Sequence, residues 1–146
     1  MKNKLFLIET GCDINIAVYY DQVLGIVENM EVIPIPTVFN SMLTGMISSG
    51  GEIFIVVNSF FKDKENMCGN GNFFYLVANN LCFQGNETIK IVDINDLYKT
   101  PIPEKMKKYI YFSSLYMYDK KEYAIIDLEQ IENEINMNLK NEVKYE

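Results

Sequence analysis

The 146-residue chain contains no histidine, no arginine and no tryptophan; all 13 of its basic residues are lysine. Without histidine it lacks the usual acid/base group near neutral pH and the commonest transition-metal ligand. Without arginine it lacks the planar fork that grips carboxylates and phosphates through paired hydrogen bonds. Cysteine is scarce: Cys12, Cys68 and Cys82 are odd in number and make no CxxC pair. That argues against a disulfide framework, and reduced thiols are expected. Cys12 and Cys82 lie in or beside strand-like segments and read as packing residues. Cys68 sits in a polar loop with neither His nor Arg to lower its pKa. No apolar run approaches the ~20 residues of a membrane-spanning helix. The start, MKNKLFLIETG, has a short apolar run broken by Glu9 and reads as a first strand rather than a signal peptide. Nothing else resembles a targeting segment, so the cytoplasm is expected. The net charge of −7 disfavours nucleic acid, whose binding depends on neutralising phosphates.

What is present is apolar. Hydrophobic residues make up 49% of the chain, with ten Tyr and nine Phe, enough for a core that needs no metal or disulfide. The length suits one domain, or two closely packed subdomains. Period-2 patterns dominate the first three quarters. Residues 4–9 and 14–20 read as a hairpin joined through Gly11-Cys12-Asp13. In its second strand Ile14, Ile16, Val18 and Tyr20 face one way, and Asn15, Ala17 and Tyr19 the other. Asp21-Gln22 suggests a short helical turn before a strand from Leu24 to Glu28. Pro34 and Pro36 are expected to interrupt pairing and mark an extended link.

Leu43 to Ser59 reads as strand, tight turn, strand, with Ser48-Ser49-Gly50-Gly51 at the tip. Ile53, Ile55 and Val57 share one face of the return strand, and Phe54 and Val56 the other. Residues 61–72, polar and turn-rich, form a loop; its GNG lacks the spacing of a phosphate-binding loop. Strands resume at Phe73 to Ala78, Leu81 to Gln84 and Thr88 to Val92. Lys99, Lys105, Lys107 and Lys108 outnumber Glu104 locally, and a solvated loop beside Pro101 and Pro103 accounts for them better than a phosphate site. Tyr109 to Met117 and Glu122 to Ile126 pair across a Tyr118-Asp119-Lys120-Lys121 turn. Asp127 then caps a helix over 127–139, whose stripe is Leu128, Ile131, Ile135 and Leu139. That stripe packs on the domain or, as the less favoured reading, binds a partner. The tail 140–146 has no pattern and is expected to fray. Many short strands punctuated by Gly, Pro and Asn favour an all-β barrel or sandwich; periodicity alone does not choose between them.

The segment around 43–59 resembles the central hairpin of CheW-type domains, the small adaptors of bacterial chemosensory arrays. Gly45, Met46, Ile47, Gly51, Ile53, Val56 and Val57 fit that pattern. The resemblance runs in order from about Leu5 to Ile131. It takes in INIAVYYDQVLGIVE, the proline link Ile33-Pro34-Ile35-Pro36, the strands of Phe73 to Asp93, and the closing YAIIDLEQI at 123–131. It implies a single domain over residues 1–146, mainly β, of two five-stranded β-barrel subdomains around a shared core, with a C-terminal helix. It also implies a non-catalytic adaptor without cofactor or metal, joining chemoreceptor cytoplasmic tips to the regulatory domain of the histidine kinase CheA. No nucleic acid and no direct membrane insertion are implied.

The departures fall on contact groups. The family's basic hairpin residue is Gly50 here, its Pro is Ile55, its Asp is Asn58, and the Glu of its Val-x-Glu-Ile element is Gly25; Asn86 stands where an Asp is usual. The resemblance places an interface at Gly25, Ile26, Val27, Gly45, Met46, Gly50 and Gly51, with Asn86 on the second subdomain. The plainer reading makes Ile26, Val27 and Met46 core residues. Two alternatives to coupling stand beside it: an interaction module of a non-chemotactic sensory pathway, or an array-capping paralogue with weakened coupling. An enzyme or small-ligand protein built on Cys68 or a carboxylate cluster has little support.

Overall fold

A computed structural model describes residues 3–10, 15–34, 43–57, 71–86, 90–102, 104 and 112–143. Cys12, Cys68, Ile14, Pro36, Asn58, Lys105, Lys107 and Lys108, named above, lie outside this set. The protein is mainly β, with twelve described strands in two sheets and one C-terminal helix. The first sheet holds β1 (Lys4–Ile8), β2 (Asn15–Tyr19), β9 (Lys90–Asp93), β10 (Tyr98–Thr100), β11 (Phe112–Tyr118) and β12 (Lys121–Ile126). The second holds β3 (Val23–Glu28), β4 (Ile33–Pro34), β5 (Leu43–Ser49), β6 (Glu52–Val57), β7 (Phe73–Val77) and β8 (Leu81–Gly85). Helix α1 spans Leu128–Val143. Each expected five-stranded barrel thus carries a sixth strand, and each sheet includes one short edge strand, β4 or β10.

The two sheets repeat one arrangement. Their orders are β4-β5-β6-β8-β7-β3 and β10-β11-β12-β2-β1-β9, and in each the two central strands are the parallel pair, β6 with β8 and β12 with β2. Hairpins β5–β6 and β11–β12 both turn through two residues at positive φ: Gly50 and Gly51 at 61° and 81°, Asp119 and Lys120 at 50° and 66°. That geometry matches the twist of the flanking strands. Both hairpins also carry a register shift near the start, at Leu43/Gly45 and at Phe112/Ser114. The second sheet is built from six strands consecutive in the chain, β3 to β8. The first is a circular permutation of it, with β1 and β2 standing where β7 and β8 stand, and β9 to β12 where β3 to β6 stand.

Three apolar clusters hold this together. The largest lies between the sheets and joins Phe6, Ile8, Ile16 and Val18 to Tyr75, Val77, Leu81 and Phe83, with Leu128, Ile131 and Ile135 of α1. A second cluster, with Leu5, Leu7, Ala17, Tyr123 and Ile125, lines the far face of the first sheet. A third, with Ile47, Phe54, Val56, Phe74, Leu76 and Cys82, lines the far face of the other. Central strands are therefore covered on both faces, which explains unbroken runs such as FFYLV and NIAVY. Burying the three helix residues contributes roughly 1.5–3 kcal/mol each. The helix starts where expected: the Asp127 carboxylate accepts from the Gln130 backbone N–H at 3.1 Å. It runs on to Val143; Leu139 falls within it, but its side chain lies outside the described set.

Three local expectations need correction. Ile33-Pro34 does pair, with Met46 and Gly45, as an edge strand whose outer side needs no proline N–H. The turn after β11 has two residues, not four, because Tyr118 pairs with Lys121. The segment read as a loop from Lys99 begins as a strand, with Thr100 Oγ1 donating to the Leu115 carbonyl at 3.1 Å.

Candidate protein interface

The residues expected at an interface fall in three separate places. Gly25, Ile26 and Val27 lie on β3, an end strand of its sheet. All three are half-buried: Ile26 packs against the shared core and Val27 against the cluster behind the second sheet. These two side chains serve packing, as the plainer reading had it. A register shift between Val23 and Gly25 accompanies a 62%-exposed Leu24. A Cβ at Gly25 would meet only Leu76 Cδ1, at 4.0 Å, so nothing steric demands glycine there.

Gly45 and Met46 lie on β5. Gly45 is buried against the edge strand, and a Cβ would stand 2.4 Å from the Ile33 carbonyl oxygen. A glycine at this place in the hairpin thus has a backbone cause. Met46 pairs with Ile33 on one side and Ile55 on the other. Paired side chains share a face, as do Ile53 and Ile55 two residues apart. Ile33, Met46, Ile53 and Ile55 therefore form one apolar ladder over three strands. Ile33 is 50% and Ile53 58% exposed, while Met46 and Ile55 are half-buried. This face continues the shared core outward, since Ile55 and Val57 belong to that cluster. The alternation of Ile53, Ile55 and Val57 was legible in the sequence; the exposure of its outer end, and Ile33 beside it, was not.

Gly50 and Gly51 form the tip of the β5–β6 hairpin, with no atom within 4 Å of where either Cβ would be. Asn86 follows β8. Because β6 and β8 run parallel, Asn86 lies at the end of the sheet away from that tip, on the order of 30 Å along the strands. Its backbone N–H donates to the Glu9 carbonyl at 2.8 Å, and its carbonyl accepts from the Tyr75 hydroxyl. Asn86 ties the two sheets together and does not extend the hairpin surface.

Charge is divided between the sheets. From Val23 to Asn86 the described charged residues are Glu28, Glu31 and Glu52, all acidic. The other sheet holds Lys4, Lys90, Lys99, Lys120 and Lys121 among its acids. There Lys4 faces Asp93 at 3.7 Å, and Lys121 holds Glu9, a contact that raises the lysine pKa. Among the described residues no group of Cys, Asp and Glu could hold a metal ion. Burial pushes the Cys82 thiol up to about 12, which leaves it unreactive near neutral pH. No described helix is long and apolar enough to cross a membrane, which leaves open crossing by strands.

Two sheets of like strand order around a common core, closed by a C-terminal helix, define a CheW-like fold. The crystal structure of the scaffolding protein TtCheW from Thermoanaerobacter tengcongensis is similar, with a TM-score of 0.65 and 16% identity over 88% of this chain and 86% of that one. No protein-family model matches the sequence, and no curated protein does.

Proposed function

We propose that the chain is a non-catalytic adaptor of a chemosensory assembly, coupling chemoreceptor cytoplasmic tips to the regulatory domain of the histidine kinase CheA. The observation that carries this reading is the two-sheet fold it shares with a scaffolding protein over 88% of its length. Its contacts are apolar surfaces and strand edges rather than reacting groups. Leu24, Ile33, Ile91 and Tyr98, all exposed, lie on end strands of the two sheets. The adaptor works in the cytoplasm, without inserting in the membrane and without nucleic acid.

The bare Gly50-Gly51 tip favours a second reading. Without a charged group at Gly50 or Gly25, a partner's register is less firmly held. An array-capping protein, or a module of a non-chemotactic sensory pathway, fits that loss. Titration calorimetry with a CheA regulatory domain and a receptor-tip fragment tests the first reading. Binding of both at micromolar concentration supports it, and silence with both at high micromolar concentration removes it. Binding without kinase activation in a reconstituted assay selects the capping role.

A further inference from the structure

The two equivalent hairpins end differently. At the β5–β6 tip Gly50 and Gly51 have open space around them, whereas the β11–β12 tip holds two residues with a Cβ, Asp119 and Lys120, at positive φ. Such backbone is unfavourable and persists where surrounding contacts fix it. Contacts of that kind are present. Lys90 of β9 reaches Asp119 at 3.9 Å and lies 5.3 Å from the centroid of the Tyr118 ring. Lys121, the first residue after the turn, donates to the Glu9 carboxylate just past the end of β1.

Glu9 is held from both sheets. Its carboxylate takes Lys121 of the first, and its carbonyl accepts the Asn86 N–H of the second at 2.8 Å. The sheets approach closely here. A Cβ on Gly85 would stand 2.9 Å from the Glu9 carbonyl oxygen and 2.7 Å from Ile8 Cγ2. The Asn86 carbonyl accepts in turn from Tyr75, whose ring belongs to the shared core. One chain of contacts therefore runs from the hairpin tip through Glu9 and Asn86 to Tyr75. The repeat supplies a comparison. In the strand registers Lys121 corresponds to Glu52, and Glu9 to Ala78, a couple that cannot form an ion pair. The link to the joint is therefore confined to one of the two hairpins.

We propose that Lys121 and Glu9 form a latch that tightens the joint between the sheets from the β11–β12 tip. Whatever draws Lys121 away loosens the Asn86 tie and leaves both sheets folded. The Lys121 side is exposed, so salt ions, or a carboxylate on a partner, reach it. The latch does not rest on coupling to the kinase: a chain that binds neither CheA nor a receptor tip still carries it.

The test is amide exchange of the full chain, read residue by residue by NMR. It is run at about 10 mM and about 1 M sodium chloride, between which the screening length falls from roughly 30 Å to 3 Å. Lys121→Met keeps the apolar stem and removes the charge. At low salt the Asn86 N–H is expected to exchange about two- to five-fold faster in this variant than in wild type, the range for a partly exposed ion pair. At high salt the two are expected to agree. Within β7 and β8 exchange is expected to match wild type throughout. Lys4→Met breaks the Lys4–Asp93 pair at the other end of β1 and is expected to leave Asn86 unchanged. In a Glu9→Gln background, Lys121→Met is expected to add nothing.

An Asn86 rate that does not respond to Lys121→Met overturns the proposal. So does a response that survives high salt or the Glu9→Gln background, because the lysine stem and not the ion pair would then be responsible. Equal acceleration in Lys4→Met, or uniform acceleration over β7 and β8, also overturns it, since the variants would then act on the whole fold and not on the joint.

Discussion

Phe6 and Tyr75 meet edge to face across the shared core, 5.7 Å between ring centroids and 60° between planes. They are equivalent residues of the two sheets: Phe6 pairs with Ile91 on β9, and Tyr75 with Ile26 on β3. The repeat thus meets itself at its centre. The contact is also where the sheets are tied, because the Tyr75 hydroxyl donates to the Asn86 carbonyl and the Asn86 N–H to that of Glu9.

Tyr75→Phe keeps the ring contact and removes the donor. A loss of about 1–2 kcal/mol is expected from the unmade hydrogen bond. A double-mutant cycle of Phe6→Leu with Tyr75→Leu is expected to give a coupling of about 0.5–1.5 kcal/mol in urea unfolding. A coupling near zero removes the ring contact as a source of inter-sheet stability.

Gly45→Ala sets a methyl group 2.4 Å from the Ile33 carbonyl oxygen, so β4 must shift. Destabilisation of about 1–3 kcal/mol is expected, as for other overpacked sites. Amide exchange should speed up locally in residues 33, 45 and 46. An unchanged exchange pattern contradicts the close approach.

Gly50→Arg restores the charge that the CheW resemblance places at the hairpin tip. Space is open there, but φ is 61°, so the cost is in the backbone, about 1–2 kcal/mol. Gly50→Asn is expected to cost less, since asparagine tolerates this region. Thermal melts rank the variants, and Arg as stable as Asn contradicts the assigned turn. Stability and partner binding therefore have to be measured separately at this position.

Alkaline pH should weaken the fold through Cys82. Its folded pKa, about 12, lies above the ordinary thiol value of 9.0 because burial disfavours the thiolate. Stability from this group is complete below pH 9 and is lost as pH rises from there toward 12. The slope is at most about 1.4 kcal/mol per pH unit. Urea midpoints at pH 8, 9.5 and 11 should fall more steeply for wild type than for Cys82→Ala. Parallel slopes would show that the thiol does not titrate with unfolding.

Much of the strand pattern was legible because turn residues and alternation coincide. Asp21-Gln22 before β3, the glycine tip after β5 and the Asp127 cap are local devices, and each lies where local chemistry puts it. The short strands β4 and β10 were not legible. Each is read here as an edge strand, stabilised by one neighbour alone, and Pro34 and Lys99 carry no strand signal of their own. The candidate site was legible only in part. Ile26 and Val27 pack inward, and Asn86 stands at the inter-sheet tie, because register and sheet order place them there.

The repeat itself left almost no trace in the amino acids. Gly50-Gly51 and Asp119-Lys120 share a positive φ and little else. Sequence alone determined an apolar, mainly β chain without histidine or arginine, its hairpins and its closing helix, because these follow from nearest-neighbour chemistry and from side-chain period. Only the tertiary structure decided that two sheets share one core, that Phe6 meets Tyr75, and that Leu128, Ile131 and Ile135 of α1 join that core. Those relations join residues tens of positions apart, and burial between distant strands is a property of the assembled sheets rather than of any segment.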